Sequence, residues 1–323
     1  MLSTPVIDGK PEYSLIIPVY RNEASIADLL KTISWLSSTL EKSLEVVFVV
    51  DGSPDRSFAL LSHLLAEQPF QSRLVLLSRN FGAFAAIREG LVCASGRYFA
   101  VMAADLQEPI ELIGEFFRQL STDEIDVTLG VRLSRQDPFF SRLASRLFWG
   151  VYRRFVQPEL PPGGVDVFGC NMAFRDALIK LEEANSSLVG QILWLGFRRR
   201  EVPYHRQARQ EGKSAWTLKK KLRYLSNSIY SFTDLPIRLL SLVGGAGVII
   251  SLVMALSVLI ARLAGWIQVP GYTVTLITVL FFAALNMLGL GIVGAYVWRA
   301  YENTKHRPQT LILHEKTFAG IKK

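Results

Sequence analysis

The sequence predicts an α/β domain built on a doubly wound, mostly parallel sheet, followed by juxtamembrane amphipathic helices and a two-helix transmembrane hairpin. Three observations lead there. The first hundred residues alternate short apolar runs with helix-periodic segments. Two later runs, 239–260 and 272–297, contain no charged residue, and each exceeds the roughly 20 residues a helix needs to cross a bilayer. Cations cluster beside those runs: ten Lys and Arg residues from Arg198 to Arg223 precede the first, Arg299, Lys305 and Arg307 follow the second, and only Arg262 lies between them.

The elements follow in order. "YSLIIPVY" reads as a buried strand, and "EASIADLLKTISWLSSTL" places Ile26, Leu29, Leu30, Ile33 and Leu36 on one helical face. "LEVVFVVDGS" is a second strand, "FALLSHLLAEQ" a helix, "RLVLLS" a third strand, "GAFAAIREGLVCAS" a helix and "RYFAVMAADL" a fourth strand. Such alternation puts ligands at the carboxyl ends of the strands. Pro18 and Tyr20 close the first strand, Asp51 the second, Arg79 and Asn80 the third, and Asp105 and Gln107 the fourth. Asp51-Gly52-Ser53 alone would read as a turn, but four coincidences at one edge point to a site.

Beyond Asp126 come a strand "DVTLGVR", a helix-like "FSRLASRLFWGVYRRF", a Pro-Gly loop, an apolar stretch around Phe168, a helical segment after Arg175 and a strand within "WLGFRRREVPYHRQ". In "AWTLKKKLRYLSNSIYSFTDLPIRLL", Leu218, Leu222, Leu225, Ile229 and Phe232 recur at helical spacing with lysines largely elsewhere, which suits a helix lying in the membrane interface. The expected divisions are a cytoplasmic domain over 1–212, juxtamembrane helices over 213–237, the hairpin over 238–298 and a cytoplasmic tail over 299–323.

The net charge of +8 is explained by these flanks, and cationic flanks stay cytoplasmic, so both termini are expected inside. No nucleic-acid partner is needed to account for the basic stretch. The start lacks the pattern of a signal peptide, so residues before about 235 are expected to stay where they are made. Cys93 and Cys170 stand alone, fitting a reducing compartment and suggesting neither disulfide nor zinc site.

"SLIIPVYRNEASI", "VVFVVDGSPDRS", "LSRNFGAFAAIREGL" and "MAADLQEP" resemble, in order and spacing, the cytoplasmic domain of family 2 glycosyltransferases with a GT-A fold. "QEGKSAW", "FTDLPIR", the two apolar runs and "GIVGAYVWRAYENTKHRP" resemble its membrane-anchored polyprenyl-phosphate branch, which includes dolichol-phosphate mannose synthase and GtrB-type enzymes. The resemblance implies a nucleotide pocket containing Pro18, Tyr20 and Glu23, with Asp51 near the base or ribose and Arg79 and Asn80 at the same edge. It implies Asp105 as a metal and diphosphate ligand with Gln107 beside it, and Arg132 and Arg135 as phosphate contacts. Lys213, Ser214 and Arg238 fall on the acceptor side. It implies an Mg²⁺ or Mn²⁺ cofactor, a nucleotide-sugar donor, a polyprenyl-phosphate acceptor and a multi-pass location in a bacterial inner membrane; a homo-oligomer and a flippase partner remain open.

Three departures bear on activity. Ala103 stands where the family's D-x-D has its first aspartate, Val50 precedes Asp51 where the family has "DDGS", and Gly169-Cys170-Asn171-Met172-Ala173 replaces "GDFRL". Asp166 is near enough in sequence to substitute for the acid lost there. Mg²⁺ takes only one or two protein carboxylates, and a lipid monophosphate, with a second pKa of about 6, is largely dianionic at neutral pH and needs positioning more than deprotonation. The expected reaction is inverting transfer of a sugar to undecaprenyl phosphate or a similar lipid. Two other readings stay open at this point, a silent relative that binds nucleotide or lipid phosphate and a membrane scaffold presenting a basic surface.

Overall fold

A computed structural model of the chain describes residues 10–133, 153–154, 157–161, 164–183, 186–207, 226–233, 235–264 and 271–321. Among them, eight strands form one sheet: β1 (Tyr13–Val19), β2 (Leu44–Val50), β3 (Gln71–Leu77), β4 (Tyr98–Val101), β5 (Val127–Arg132), β6 (Val165–Asn171), β7 (Arg199–Tyr204) and β8 (Ile312–Phe318), in the order β7-β5-β6-β4-β1-β2-β3-β8. The helices are α1 (Ile26–Thr39), α2 (Ser57–Leu64), α3 (Ala83–Cys93), α4 (Ile110–Leu120), α5 (Met172–Ile179), α6 (Leu188–Trp194), α7 (Leu235–Leu263) and α8 (Tyr272–Thr304).

β1 and β2 are continuous apolar runs because both of their faces are covered. Leu15, Ile17 and Val19 enter the layer with α1 and α4, while Ile16 enters the layer with α3. The α1 face expected from periodicity, Ile26, Leu29, Leu30, Ile33 and Leu36, is buried. α3 lies close on β1 because residue 90 is glycine: a Cβ there would sit 2.4 Å from Ile16 Cγ2. Pro18 is accommodated in a central strand because its missing N–H would face β4, whose pairing with β1 stops at Ile16–Val101.

The sheet is mixed rather than wholly parallel. β6 runs antiparallel to both β4 and β5, with parallel β5–β7 pairing beyond it. This reversal brings the start of β6 to the carboxyl ends of β4 and β5, and so carries Asp166 to the edge where Asp105 and Arg132 lie.

The segment expected as a tail contains β8, antiparallel to β3. Leu311 O accepts from the Ser78 N–H at 2.9 Å, Arg73 pairs with Glu315 at 3.0 Å, and the Ile321 N–H donates to Gln68 O at 2.9 Å. β8 is mostly exposed, as an edge strand is, and carries charged side chains that discourage further pairing.

Between β7 and β8 the chain forms two long helices. α7 and α8 lie antiparallel: a Cβ at Gly289 would come within 3.3 Å of Leu240, and one at Gly247 within 3.6 Å of Phe282. Leu242, Ile249, Val253 and Leu256 of α7, and Phe281, Met287, Leu290 and Val297 of α8, face outward. Among the described residues one helical stretch, Phe281–Thr304, has the length and mean hydropathy, 1.7, of a membrane span; the apolar stretch Leu235–Gly247 is shorter. Only the 226–233 end of the expected interfacial helix is described, and it is helical over 226–232. It joins the domain to α8. Phe232 packs on Gly190 of α6, where any Cβ would meet its ring at 2.4 Å, and the Tyr296 hydroxyl donates to Thr233 O at 3.3 Å.

Candidate active site at the carboxyl edge of the sheet

The loops after β1, β2, β3 and β4 are tied to one another by short polar bonds. The Arg21 N–H donates to Ser53 Oγ at 2.8 Å, and the Glu23 N–H to Asp55 Oδ2 at 3.1 Å. Arg56 returns two bonds to the Glu23 carboxylate, from its backbone N–H at 2.9 Å and Nε at 2.8 Å. These donors hold Glu23 below the usual carboxylate range, the Arg56 backbone N–H being the largest cause. Ser25 Oγ donates to Ala104 O at 3.0 Å, binding the first loop to the fourth.

Asp51 is 2% exposed and accepts from the N–H groups of Phe81 at 2.7 Å and Gly82 at 2.8 Å, at the start of α3. Burial raises its pKa, more than the two backbone donors and the Arg79 charge lower it. This carboxylate, expected near a base or ribose, shapes the loop after β3. Gly52 makes that possible. Its φ of +54° is left-handed, and a Cβ would lie 2.3 Å from Arg79 C. Arg79 stacks over the Phe81 ring at 4.0 Å, and Asn80 Nδ2 donates to Asp51 O at 3.4 Å. Tyr20 borders the same edge, its backbone N–H donating to Asn22 Oδ1 at 3.0 Å.

The β4 loop turns sharply. Leu106 adopts φ +53°, a left-handed conformation that costs a residue with a Cβ roughly 1–2 kcal/mol. Arg21, at φ +57°, does the same after β1. Non-glycine residues held this way cluster at functional sites. The turn folds Gln107 and Glu108 back toward the strand end. Gln107 is tied to the segment after β7: Arg206 Nη2 donates to its Oε1, and the Gln207 N–H to its backbone O at 2.9 Å. Asp105 is partly buried beside them.

Glu108 is 3% exposed, and its Oε2 is buried without a hydrogen-bond partner among the described residues. The Ala103 N–H is directed at its carboxylate. Burial, then the Asp105 charge, push its pKa up to about 7, while Arg206 pulls the other way. In the sequence Glu108 is only a second acid beyond Asp105, with no role assigned to it; its burial goes with the left-handed turn at Leu106.

Arg132 and Asp166, 34 residues apart, form a two-pronged ion pair from Nε and Nη2 to the two carboxylate oxygens. The Tyr204 hydroxyl donates to Asp166 Oδ2 at 2.7 Å. Burial works to raise the Asp166 pKa, but Arg132, Tyr204 and Arg206 outweigh it and hold the group ionised. Arg206 and Tyr204 were likewise not singled out from sequence. Arg238 lies exposed in the first turn of α7. Arg135, Lys213 and Ser214 lie outside the described residues.

Among the described residues no three His, Cys, Asp or Glu side chains form a metal-binding group. The edge gathers Asp105, Gln107 and Glu108 beside the guanidinium groups of Arg132 and Arg206.

Residues 14–181 match the family model described as glycosyl transferase family 2. The chain belongs to that family. This glycosyltransferase is 32% identical over 306 residues to the undecaprenyl-phosphate 4-deoxy-4-formamido-L-arabinose transferase of Edwardsiella ictaluri, covering 93% of this chain and 92% of the relative. It is 31% identical over 303 residues to the enzyme of the same name from Yersinia enterocolitica, covering 93% and 92%. Among solved structures it is similar to the glucosyl-3-phosphoglycerate synthase of Mycobacterium tuberculosis in complex with UDP, at 17% identity and a TM-score of 0.47, over 69% of this chain and 79% of that one. Its α/β domain is GT-A-like, with a mostly parallel sheet.

Proposed function

We propose that this glycosyltransferase moves a sugar from a nucleotide-sugar donor to undecaprenyl phosphate or a similar polyprenyl phosphate at the cytoplasmic face of a bacterial inner membrane, yielding a lipid-linked monosaccharide with inverted anomeric configuration. One observation carries the acceptor: the likeness to undecaprenyl-phosphate transferases spans 93% of the chain, and so continues beyond the sheet into the apolar helices.

The two helices are read as a double crossing. They lie between β7 and β8 of one sheet, which supports an even number of crossings with both ends of the pair on the side of the catalytic domain. Outward-facing apolar side chains along α7 and α8 and Trp298 and Tyr301 near the end of α8 fit lipid contact and an interfacial aromatic belt. On this reading 1–212 is the catalytic domain, 213–237 its juxtamembrane connection, and Lys213, Ser214 and Arg238 the approach to the lipid phosphate.

Pro18, Tyr20, Glu23, Asp51, Arg79 and Asn80 frame the nucleotide pocket, Asp51 by fixing the Phe81–Gly82 backbone. Asp105, with Gln107 beside it, would hold Mg²⁺ or Mn²⁺; the all-oxygen donor set and the unpartnered buried Glu108 oxygen fit such an ion. Such an ion, when bound, would supply positive charge against the leaving diphosphate. Arg206, with Arg132 behind it and Arg135, orients phosphate oxygens in a partly dried site. Asp166 is committed to Arg132 and Tyr204 and acts as the anchor of that arginine. No general base is required of it, because a phosphate dianion attacks without losing a proton.

The test is transfer by detergent-purified protein from labelled UDP-, GDP- and dTDP-sugars to undecaprenyl phosphate, with Mg²⁺, Mn²⁺ or chelator, scoring label in the organic phase. Label should follow one donor and vanish in chelator. Nucleotide binding without transfer from any donor would overturn the proposal.

A further inference from the structure

Position 103, just beyond β4, contributes only a methyl group and so offers no acid to a cation site at Asp105. Gln107, the next oxygen donor along the loop, has its Oε1 engaged by Arg206. The remaining acid on the loop is Glu108. It is 3% exposed, anchored toward the Ala103 N–H, and has one buried oxygen with no partner among the described residues. Buried carboxylates are paired, protonated or bound to a cation, and an unsatisfied buried oxygen in a native protein calls for one of these. Among the described residues the cation that acts on Glu108 is Arg206, which is itself bonded to Gln107 Oε1.

We infer that Glu108 is the second carboxylate of the divalent-cation site, folded back by the left-handed turn at Leu106 to replace the acid that Ala103 does not supply. The inference rests on the transferase reading above and deepens it. Its chemistry is plain. Mg²⁺ and Mn²⁺ accept one or two protein carboxylates and complete their shells with water and diphosphate oxygens, so Asp105 and Glu108 suffice without a third acid. The left-handed turn at Leu106 lies between Asp105 and Glu108, and the two carboxylates are near enough to act on each other. The aspartate-to-alanine departure at position 103 is then a relocation of charge.

The experiment is Mn²⁺ binding to the full-length protein in detergent, read from the loss of the free-ion electron paramagnetic resonance signal, with UDP, GDP and dTDP in turn. Nucleotide binding in chelator is measured in parallel. With the best nucleotide, Glu108→Gln should weaken Mn²⁺ binding at least about tenfold while nucleotide binding in chelator stays within about threefold, and Ala103→Asp added to Glu108→Gln should restore most of the loss. Native-like Mn²⁺ affinity in Glu108→Gln, with Asp105→Asn impaired, would overturn the role of Glu108 and leave the metal reading standing. Native protein that binds nucleotide but no Mn²⁺ would overturn both. If Glu108→Gln fails to fold, Glu108→Asp keeps the charge and shortens the reach; unchanged Mn²⁺ affinity in that variant would equally defeat the inference.

Discussion

Over β1, β2 and β3 the acids at the carboxyl edge hold the protein's own backbone, whereas over β4, β5 and β6 they face one another and a pair of arginines. Glu23, Asp51 and Asp55 accept from N–H groups of Arg56, Phe81, Gly82, Ser57 and Glu23 within three neighbouring loops. Asp105, Glu108 and Asp166 instead share a patch in which the Glu108 pKa is pushed up to about 7, while Arg132, Tyr204 and Arg206 outweigh burial and hold Asp166 below the usual range. The first region is finished before any ligand arrives. In the second, Glu108 keeps a buried oxygen without a partner among the described residues, a cost that a ligand can relieve.

The strongest test of that contrast is Asp105→Asn, expected to lower transfer by roughly 10³-fold or more, about 4 kcal/mol of transition-state stabilisation, with an unchanged thermal unfolding curve. Initial rates beside circular-dichroism melts decide it, and full activity would remove Asp105 from the chemistry. In the other region the largest effect should be on folding. Gly52→Ala forces a Cβ into the Arg79 backbone at a left-handed φ and should destabilise the domain by roughly 4 kcal/mol; a variant melting like the native protein would show that the tied loops yield easily.

Glu108→Gln sharpens the comparison through pH. The folded-state pKa lies above the model value of 4.5, so folding favours the protonated acid. That contribution is fully present below pH 4.5 and is lost as pH rises through about 7. In chelator the glutamine variant should therefore be more stable than native protein by up to roughly 3 kcal/mol at pH 8 and show little advantage near pH 4.5. Denaturant melts across that window give the answer; an equal gain at every pH would assign the effect to packing. The smallest effect belongs to Glu315→Gln, which breaks a partly exposed pair with Arg73 and should cost less than about 1 kcal/mol, measurable as a small shift in denaturant midpoint with activity unaltered.

The first four strands, the three helices between them and the edge that collects Pro18, Tyr20, Asp51, Arg79, Asn80, Asp105 and Gln107 were readable because apolar runs and helical periodicity report burial directly; the helix Ile110–Leu120 was not read. Three features were not. β6 reverses direction, and no periodicity records the direction of a strand. β8 is an exposed edge whose mixed "ILHEKTF" shows neither an apolar run nor a clear alternation. The burial of Glu108 depends on a leucine adopting a conformation its side chain disfavours, so local preference argues against the turn that makes the site. The Arg132–Asp166 pair belongs to the same class, since its partners meet only through the register of β5 on β6.

The place of β8 also sets an order of assembly. β3 can pair with β2 as soon as both have been made, yet its other edge must wait until α7 and α8 have been synthesised and the chain has returned. Until then the domain exposes a row of unpaired backbone donors and acceptors, the kind of edge that seeds association between chains. Closure of the catalytic sheet is thereby made conditional on the helices having reached a position from which the chain can come back.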